Sequence, residues 1–313
     1  MAKVIFDWVP EERVLDVARA TVEAFRRHGD RRTRAFARLK IVVDKMGADK
    51  FADLLIDIMK ERNIQGLEKL EKAASPLPTI GKMFLNGQEV IPQKQEGRSV
   101  VRVMIPRSEL PTAHSRVIAQ LADELGGSSV MFTNRQNVEL HDVPNENVDA
   151  LLEKLHEAGF RTAGHEHLPD IVACVGTTMC KMAVSDSPDA YKRLYDSLAN
   201  DEAYWKDVGP LRINITGCPN NCAHAWIADI GLRGKRTRND EGGSTEGYDL
   251  FVGGKLTEAG HIAEPIGSAS AEEIVPAVRK IIDTYLENRQ SDTELFIDFC
   301  ERIGIEQFRG LVQ

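Results

Sequence analysis

The segment ITGCPNNCAHAWIADIG, residues 215–231, holds two cysteines that flank one proline and two asparagines. A second pair, Cys174 and Cys180, lies upstream in DIVACVGTTMCKMAVSDS, residues 170–187. Two local pairs account for four of the five cysteines of the 313-residue chain. The question that decides the fold is therefore which group Cys218 and Cys222 bind jointly with Cys174 and Cys180.

The composition narrows the class of protein. With 28% charged and 42% hydrophobic residues, the chain has the composition of a globular protein. It contains no apolar run long enough for a membrane span, and MAKVIFDWVPEERVLDV lacks the pattern of a secretory signal. We therefore expect a cytoplasmic protein that does not act in a membrane. The net charge of −8 argues against a general nucleic-acid-binding surface.

In the cytoplasm, paired cysteines indicate metal or redox chemistry more often than a disulfide. Four thiolates suit zinc, a 2Fe–2S cluster or a 4Fe–4S cluster. Structural zinc favours two-residue spacings, whereas these pairs are separated by five and three residues. The wider spacing favours a bulky cubane cluster, and a zinc-stabilised interaction domain remains the alternative. Cys300, alone in ELFIDFCERIG, is predicted to be a small buried hydrophobic residue.

Hydrophobic periodicity predicts an α+β protein with four regions. Residues 1–75 form a helical segment, in which apolar residues at helical spacing from residue 11 to 63, Val14 and Val22 among them, predict core-facing helices. Residues 76–98 have no sustained period and predict a linker. The order β-α-β-β-α over residues 99–165 is typical of a ferredoxin-like half-domain. Residues 166–313 combine the cysteine motifs with strands and helices, and predict an α/β domain.

Two groups of polar and basic residues accompany the cysteines. Arg135 and Gln136 lie between two predicted strands in MFTNRQNVELHDV. Downstream, ADIGLRGKRTRND contains four basic residues, Arg233, Lys235, Arg236 and Arg238. Such a group is usually a solvated loop, but in an acidic protein it could hold an anionic cofactor, steer an anion or dock an acidic donor.

The cysteine pattern resembles the cluster motif of the sirohaem-dependent sulfite and nitrite reductases, in which the second pair reads GCPNNC. Further segments are similar to the same family: FTNRQNVEL to the strand pair of its half-domain, ADIGLRG and YDLFVGG to the stretch after the second pair, and TELFIDFCERIG to its closing helix. EAFRRHGDRRTRAFARLKIVVDKMG resembles the end of the first half of these proteins. The resemblance covers nearly the whole chain.

The resemblance implies a 4Fe–4S cluster and sirohaem as cofactors, and reduction of sulfite to sulfide or nitrite to ammonia. When the motif of the family is matched to this sequence, the cluster ligands are Cys174, Cys180, Cys218 and Cys222. It implies that Cys222 also bridges to the sirohaem iron. The cofactor contacts carried over with it are Gln136, Asn220 and Asn221, and Arg135 becomes a catalytic contact to substrate or sirohaem. Ferredoxin is the expected electron donor, because no nucleotide-binding glycine motif follows a strand.

Full-length members of the family contain two related halves, and this chain is expected to begin near the end of the first. Three forms would follow: one subunit of a split enzyme, a homodimer in which a second copy replaces the missing half, or a truncated product. Two alternative functions share parts of the motif. One is a corrin-ring-modifying enzyme of cobalamin synthesis, and the other is a non-catalytic iron–sulfur electron-relay subunit.

Overall fold

The computed structural model describes residues 3–33, 36–72, 87–238, 243–256 and 260–312. The chain forms two compact units, Met1–Ile80 and Gly81–Gln313. Residues 73–86, which include the start of the predicted linker, lie outside the described residues. No described helix has both the length and the apolar character that crossing a bilayer requires.

The first unit is helical, as its periodicity predicts. Its elements are a short antiparallel strand pair, β1 (Phe6–Trp8) with β2 (Glu71–Lys72), and three helices, α1 (Val14–His28), α2 (Leu39–Met46) and α3 (Ala48–Glu61).

The core of this unit lies between α1 and α3. Phe51, Leu55 and Ile58 of α3 are buried there. The helical period is confirmed, but its assignment of two α1 residues to the core is wrong. Val14 and Val22 are 52% and 71% exposed, because the buried face of α1 runs through Ala20 and Ala24, where small side chains allow close helix packing.

The second unit begins with a four-stranded antiparallel sheet and two helices. Its elements are β3 (Val90–Pro92), β4 (Arg98–Val103), α4 (Thr112–Glu124), β5 (Ser129–Phe132), β6 (Val138–Pro144) and α5 (Val148–Glu157). The strand order is β3-β4-β6-β5, so the predicted β-α-β-β-α motif carries an added edge strand that precedes it. This strand lies within residues 76–98, for which the sequence predicts a linker, so this part of the region belongs to the sheet.

The rest of the second unit is built on a mixed five-stranded sheet. Its strands are β7 (Val172–Ala173), β8 (Ile213–Thr216), β9 (Ile230–Arg238), β10 (Ser244–Val252) and β11 (Glu264–Ser270), in the order β11-β10-β9-β8-β7. Strands β7, β8 and β9 are parallel, whereas the β9–β10 and β10–β11 pairs are antiparallel. The helices are α6 (Gly176–Met179), α7 (Ser187–Leu198), α8 (Glu202–Val208), α9 (Ile274–Asn288), α10 (Phe296–Ile303) and α11 (Glu306–Arg309).

Helices α9 and α10 bring aromatic side chains into the core of this sheet. Tyr285 packs against Phe296 and Phe299 with ring centroids 5.5 and 5.4 Å away. Cys300 is 1% exposed in this cluster, which confirms its prediction as a buried residue. Burial raises the pKa of the Cys300 thiol, so this cysteine stays neutral and apart from the four paired ones.

Candidate metal centre

The sheet topology brings the two cysteine motifs to one edge. Cys174 directly follows β7, and Cys218 comes two residues after β8. These strands are parallel neighbours, with Ala173 opposite Ile215, and the carboxyl ends of parallel strands meet at the same edge of a sheet. The backbone nitrogen of Cys174 donates to the carbonyl oxygen of Ile215 at 3.0 Å. Both motifs therefore lie at one edge of the sheet.

Glycines allow the loops around the cysteines to pack backbone to backbone. A Cβ atom on Gly217 would lie 2.7 Å from the carbonyl oxygen of Ser185 and 3.2 Å from the Cα atom of Gly176. One on Gly176 would lie 2.5 Å from the backbone nitrogen of Ser187, and one on Gly234 the same 2.5 Å from the carbonyl carbon of Gly217. Three glycines thus meet where the two motifs cross.

Hydrogen-bond donors surround the sulfur of Cys174. The backbone nitrogens of Gly217 and Gly176 lie 3.1 and 3.4 Å from its Sγ atom. The hydroxyl oxygens of Ser187 and Thr216 lie 3.3 and 4.0 Å away. In iron–sulfur proteins, hydrogen bonds to the ligand sulfurs tune the reduction potential of the cluster.

The four paired cysteines differ in their access to solvent. Cys218 is 6% exposed, Cys174 and Cys180 are half-buried, and Cys222 is exposed. Of the four, Cys222 is therefore the one that a second bound group can approach most openly.

The turn that carries Cys222 is closed by its neighbour. Asn221 has a left-handed φ of 57°, and its Oδ1 atom accepts a hydrogen bond from the backbone nitrogen of Ala225 at 2.8 Å. The Asn221 side chain thus shapes the turn, while Asn220 is exposed. The predicted sirohaem contacts of both asparagines stay predictions.

The cysteine arrangement suits a cluster better than a single ion. Within the described ranges, which include all four paired cysteines, no three His, Cys, Asp or Glu side chains converge closely enough for one metal ion. A cubane cluster spreads its ligands over four irons, so its thiolates stay further apart. The donor set and the amides on Cys174 fit a 4Fe–4S cluster.

Arg135 lies at the tip of the β5–β6 hairpin and contacts the cysteine domain. Its Nε atom donates to Oδ2 of Asp170 at 3.0 Å, and its Nη1 atom to Oδ1 of Asn214 at 3.2 Å. Its Nη2 atom donates to the carbonyl oxygen of Asp170. The guanidinium group is thus paired with protein acceptors, and its predicted contact to substrate or sirohaem stays a prediction.

Gln136 contacts the backbone beside the first cluster cysteine. Its Nε2 atom donates to the carbonyl oxygen of Ala173 at 2.8 Å, and its Oε1 atom accepts from the Ala173 nitrogen at 3.2 Å. The described contacts of this side chain thus run to the residue before Cys174. Its predicted role as a sirohaem contact stays a prediction.

Asp170 is the residue at this junction that sequence reasoning missed. Its side chain is 2% exposed, and it accepts hydrogen bonds from Arg135, from Nδ2 of Asn137 at 2.7 Å and from the backbone nitrogen of Glu166 at 2.9 Å. The sequence did contain a signal for it. Asp170 borders the apolar segment that leads to Cys174, and an acidic residue in such a place is rarely buried unless a partner pairs with it.

The basic residues of β9 are divided between the two faces of the strand. Arg233 and Lys235 both bind Asp249, at 2.7 and 2.8 Å, whereas Arg236 is exposed. Burial raises the pKa of Asp249, but hydrogen bonds from Lys235, Arg233 and Ser268 outweigh it and hold the pKa below the usual value. Two of the four predicted basic groups are therefore already paired with an internal carboxylate.

Two family models match the chain. The model described as "Nitrite and sulphite reductase 4Fe-4S domain" matches residues 1–62 and 166–313, more than half of the chain. The model described as "Nitrite/Sulfite reductase ferredoxin-like half domain" matches residues 91–158, the region of the four-stranded sheet.

Similar proteins have longer chains. Sulfite reductase (ferredoxin) 1 of Mycolicibacterium paratuberculosis is 29% identical over 96% of this chain and 53% of its own length. The chloroplastic ferredoxin–nitrite reductase of Zea mays is 32% identical over 88% of this chain and 48% of its own. The chain thus spans about half the length of these relatives.

A solved structure has the same fold. The structure of the Mycobacterium tuberculosis NirA protein superposes with a TM-score of 0.79 at 25% identity, and covers 97% of this chain and 55% of that chain. This match confirms the predicted α+β fold. The chain therefore belongs to the nitrite and sulphite reductase family, whose cofactors are a 4Fe–4S cluster and sirohaem.

Proposed function

We propose that this chain reduces sulfite to sulfide or nitrite to ammonia, in six one-electron steps, at a coupled sirohaem–4Fe–4S centre. The observation that carries the proposal is the meeting of the two cysteine motifs at the carboxyl ends of β7 and β8, with Cys222 exposed. The names of the relatives agree, since they are sulfite and nitrite reductases.

Each cysteine has a distinct task in this proposal. Half-buried Cys174 and buried Cys218 would bind the cluster on its inner side. Cys180, which directly follows α6, would be the third ligand. Exposed Cys222 would hold the cluster as well and would be the cysteine that also binds sirohaem. When bound, the two cofactors store electrons and supply the iron at which the anion is reduced.

A sirohaem site needs basic groups that are free to bind it, and within the described ranges three of the basic residues near the cysteines are already paired. Sirohaem carries many carboxylates and the substrate is an anion, yet Arg135 is paired with Asp170 and both Arg233 and Lys235 with Asp249. The pairing supports a complete site that forms with a second copy of this chain or with a separate chain. In either form, the partner would supply basic residues that bind these carboxylates.

The electron donor in this proposal is ferredoxin, because the relatives are named for it. Arg236 and Arg238 are exposed on β9, and exposed basic side chains attract an acidic donor at low salt. Charge reversal at Arg236 would slow reduction by ferredoxin at low salt if the residue docks the donor. A loss of bound sirohaem would instead assign Arg236 to the cofactor. The cytoplasmic location stays a prediction.

The first experiment is anaerobic purification with extra sirohaem supply, followed by absorption spectroscopy, iron and sulfide analysis, and assays with each anion. We expect chlorin-type bands, roughly five irons per chain from one cluster and one sirohaem, and turnover of one of the anions. Four irons without chlorin bands would mean that this chain binds the cluster alone, as in the electron-relay alternative or in a site that takes up sirohaem only with its partner chain. Holoprotein that has both cofactors and reduces neither anion in any oligomeric state would refute the proposal.

A further inference from the structure

We infer that Gln136 is a positioning residue for Cys174, so that the ferredoxin-like half-domain controls one ligand of the cluster. The inference rests on the iron–sulfur centre of the proposed function and adds a role for a residue outside the cysteine domain. The described hydrogen bonds of the side chain run to the backbone of Ala173, so it would act on Cys174 through that backbone.

The hydrogen bonds of Gln136 complete the edge of a very short strand. Strand β7 has two residues and is the outer strand of its sheet, with β8 on one side only. On the open side, Gln136 donates to the carbonyl oxygen of Ala173 at 2.8 Å and accepts from its nitrogen at 3.2 Å. This donor–acceptor pair is what a neighbouring strand would provide. Since Ala173 is 8% exposed, loss of the pair leaves two buried backbone groups without partners.

The strand is thus held on both sides at the point where it presents Cys174. On the side of β8, the Cys174 nitrogen donates to the carbonyl oxygen of Ile215 at 3.0 Å. On the open side, Gln136 holds the preceding residue. These contacts set the direction of the chain into Cys174, and hence the position of its sulfur between the amides of Gly176 and Gly217.

The hairpin that carries Gln136 is itself anchored to the cysteine domain. Arg135 and Asn137, on either side, both donate to the buried carboxylate of Asp170. Gln136 adopts a left-handed φ of 65°, which is uncommon outside glycine and asparagine. Glutamine does not favour this backbone conformation. A strained conformation of this kind is expected where the side chain must reach a fixed partner, here the backbone of Ala173.

The test compares Gln136→Asn with wild type and with Gln120→Asn. Asparagine suits the left-handed backbone and keeps an amide, but it is one methylene too short to reach Ala173. Gln120 lies on α4 and bonds only to exposed Glu124 of its own helix, so the same change there is a matched control. Cluster-loaded proteins are challenged anaerobically with an iron chelator, and cluster loss is followed by absorbance.

We expect Gln136→Asn to lose its cluster about tenfold faster than wild type, as the loss of two hydrogen bonds allows. The spectrum of the reduced cluster in electron paramagnetic resonance should broaden, because Cys174 samples several positions. In cluster-free protein, the amides of residues 172–174 should exchange faster, and the melting temperature should fall by only a few degrees. Gln120→Asn should match wild type in all of these measurements.

The proposal is overturned if Gln136→Asn keeps its cluster, spectrum and amide protection as wild type does. A second variant, Gln136→Glu, covers the case in which the first does not fold. It keeps the reach and an acceptor for the Ala173 nitrogen, but turns a carboxylate oxygen towards the Ala173 carbonyl, so it should also lose its cluster faster. A wild type that binds no cluster would refute the proposed function instead, and amide exchange in cluster-free protein would still test the contact.

Discussion

The backbone nitrogen of Gly217 lies 3.1 Å from the Sγ atom of Cys174, so the loop of the second cysteine motif holds the thiolate of the first. The two residues are far apart in sequence and meet because β7 and β8 are parallel neighbours. A hydrogen bond from an amide to a ligand sulfur tunes the reduction potential of a bound cluster. The cluster site is therefore one structure made by two motifs.

Gly217→Ala should destroy this junction. The new Cβ atom would lie 2.7 Å from the carbonyl oxygen of Ser185 and 3.2 Å from the Cα atom of Gly176. Both contacts are with backbone, which cannot rotate away, so the two loops must separate. We expect the bound iron to fall below half of the wild-type content and the melting temperature to drop by several degrees, for a cost of about 2 kcal/mol.

Gly310→Ala is the matched control, because a Cβ atom there meets nothing within 4 Å. This variant should keep wild-type iron content and melting temperature. Wild-type iron content in Gly217→Ala would show that the loops tolerate separation, and that the amide of Gly217 does not determine cluster binding.

Breaking the pair of Arg135 and Asp170 should destabilise the second unit. The Asp170 carboxylate is 2% exposed, and removal of one partner leaves the other charge buried, at a cost of about 3 kcal/mol. We expect this loss for Arg135→Met and for Asp170→Asn, measured by urea unfolding of cluster-free protein. A double variant should cost less than the sum of the two single variants, because the residues share one interaction.

A further variant, Arg135→Lys, separates two roles of Arg135. If its guanidinium serves only the pair, Arg135→Lys should lower stability and leave the KM for nitrite or sulfite unchanged. An increase of KM by tenfold or more in a variant of unchanged stability would assign Arg135 to the substrate, as the sequence resemblance predicts.

The cysteine motifs could be interpreted from sequence because each ligand type and spacing is local information. The contacts that Arg135 and Gln136 make in the structure could not be predicted from the sequence. Their acceptors, Asp170 and Ala173, are more than thirty residues away, and only the packing of the half-domain on β7 brings them together. A basic residue in a hairpin tip gives no sequence signal that separates an anion ligand from a buried ion pair.

Short elements escaped prediction for a related reason. Strand β3 has three residues, too few for a period of two to be distinguished from chance, and Pro92 at its end favours a linker interpretation. In α1, the apolar period itself was correct. The side that becomes buried depends on α3, and Ala20 and Ala24 carry too little hydrophobicity to outweigh Val14 and Val22 in a sequence pattern.

Cys222→Ser and Cys300→Ser should differ sharply in their effect on the metal centre. Cys222 is exposed in the second motif, whereas Cys300 is 1% exposed among aromatic residues. We expect Cys222→Ser to lose the chlorin bands and most of the bound iron in anaerobically purified protein. Cys300→Ser should keep both cofactors, with a loss of stability of about 1 kcal/mol from burial of a hydroxyl group. Full retention of sirohaem by Cys222→Ser would refute the bridging role.

Stability of the second unit should fall as the pH drops below the ordinary pKa of histidine, because of His165. This residue is 1% exposed, and burial, followed by the charge of Arg102, lowers its pKa, while Asp170 and Glu166 act in the opposite direction. The unfolded chain binds a proton there near pH 6.5, and the folded protein does so only at lower pH. Unfolding therefore takes up a proton between these two values, and the free energy of unfolding decreases with falling pH by at most about 1.4 kcal/mol per pH unit.

His165→Leu should remove this slope. Urea unfolding of cluster-free protein from pH 7.5 down to about 5.5, a range that stays above the ordinary pKa of carboxylates, would give a flatter dependence for the variant than for wild type. His114→Leu, the same change at a residue that is exposed on α4, is the matched control. Equal slopes in wild type and His165→Leu would mean that the folded protein binds the proton at His165 as readily as the unfolded chain does. The acid sensitivity of the second unit would then have to come from another group.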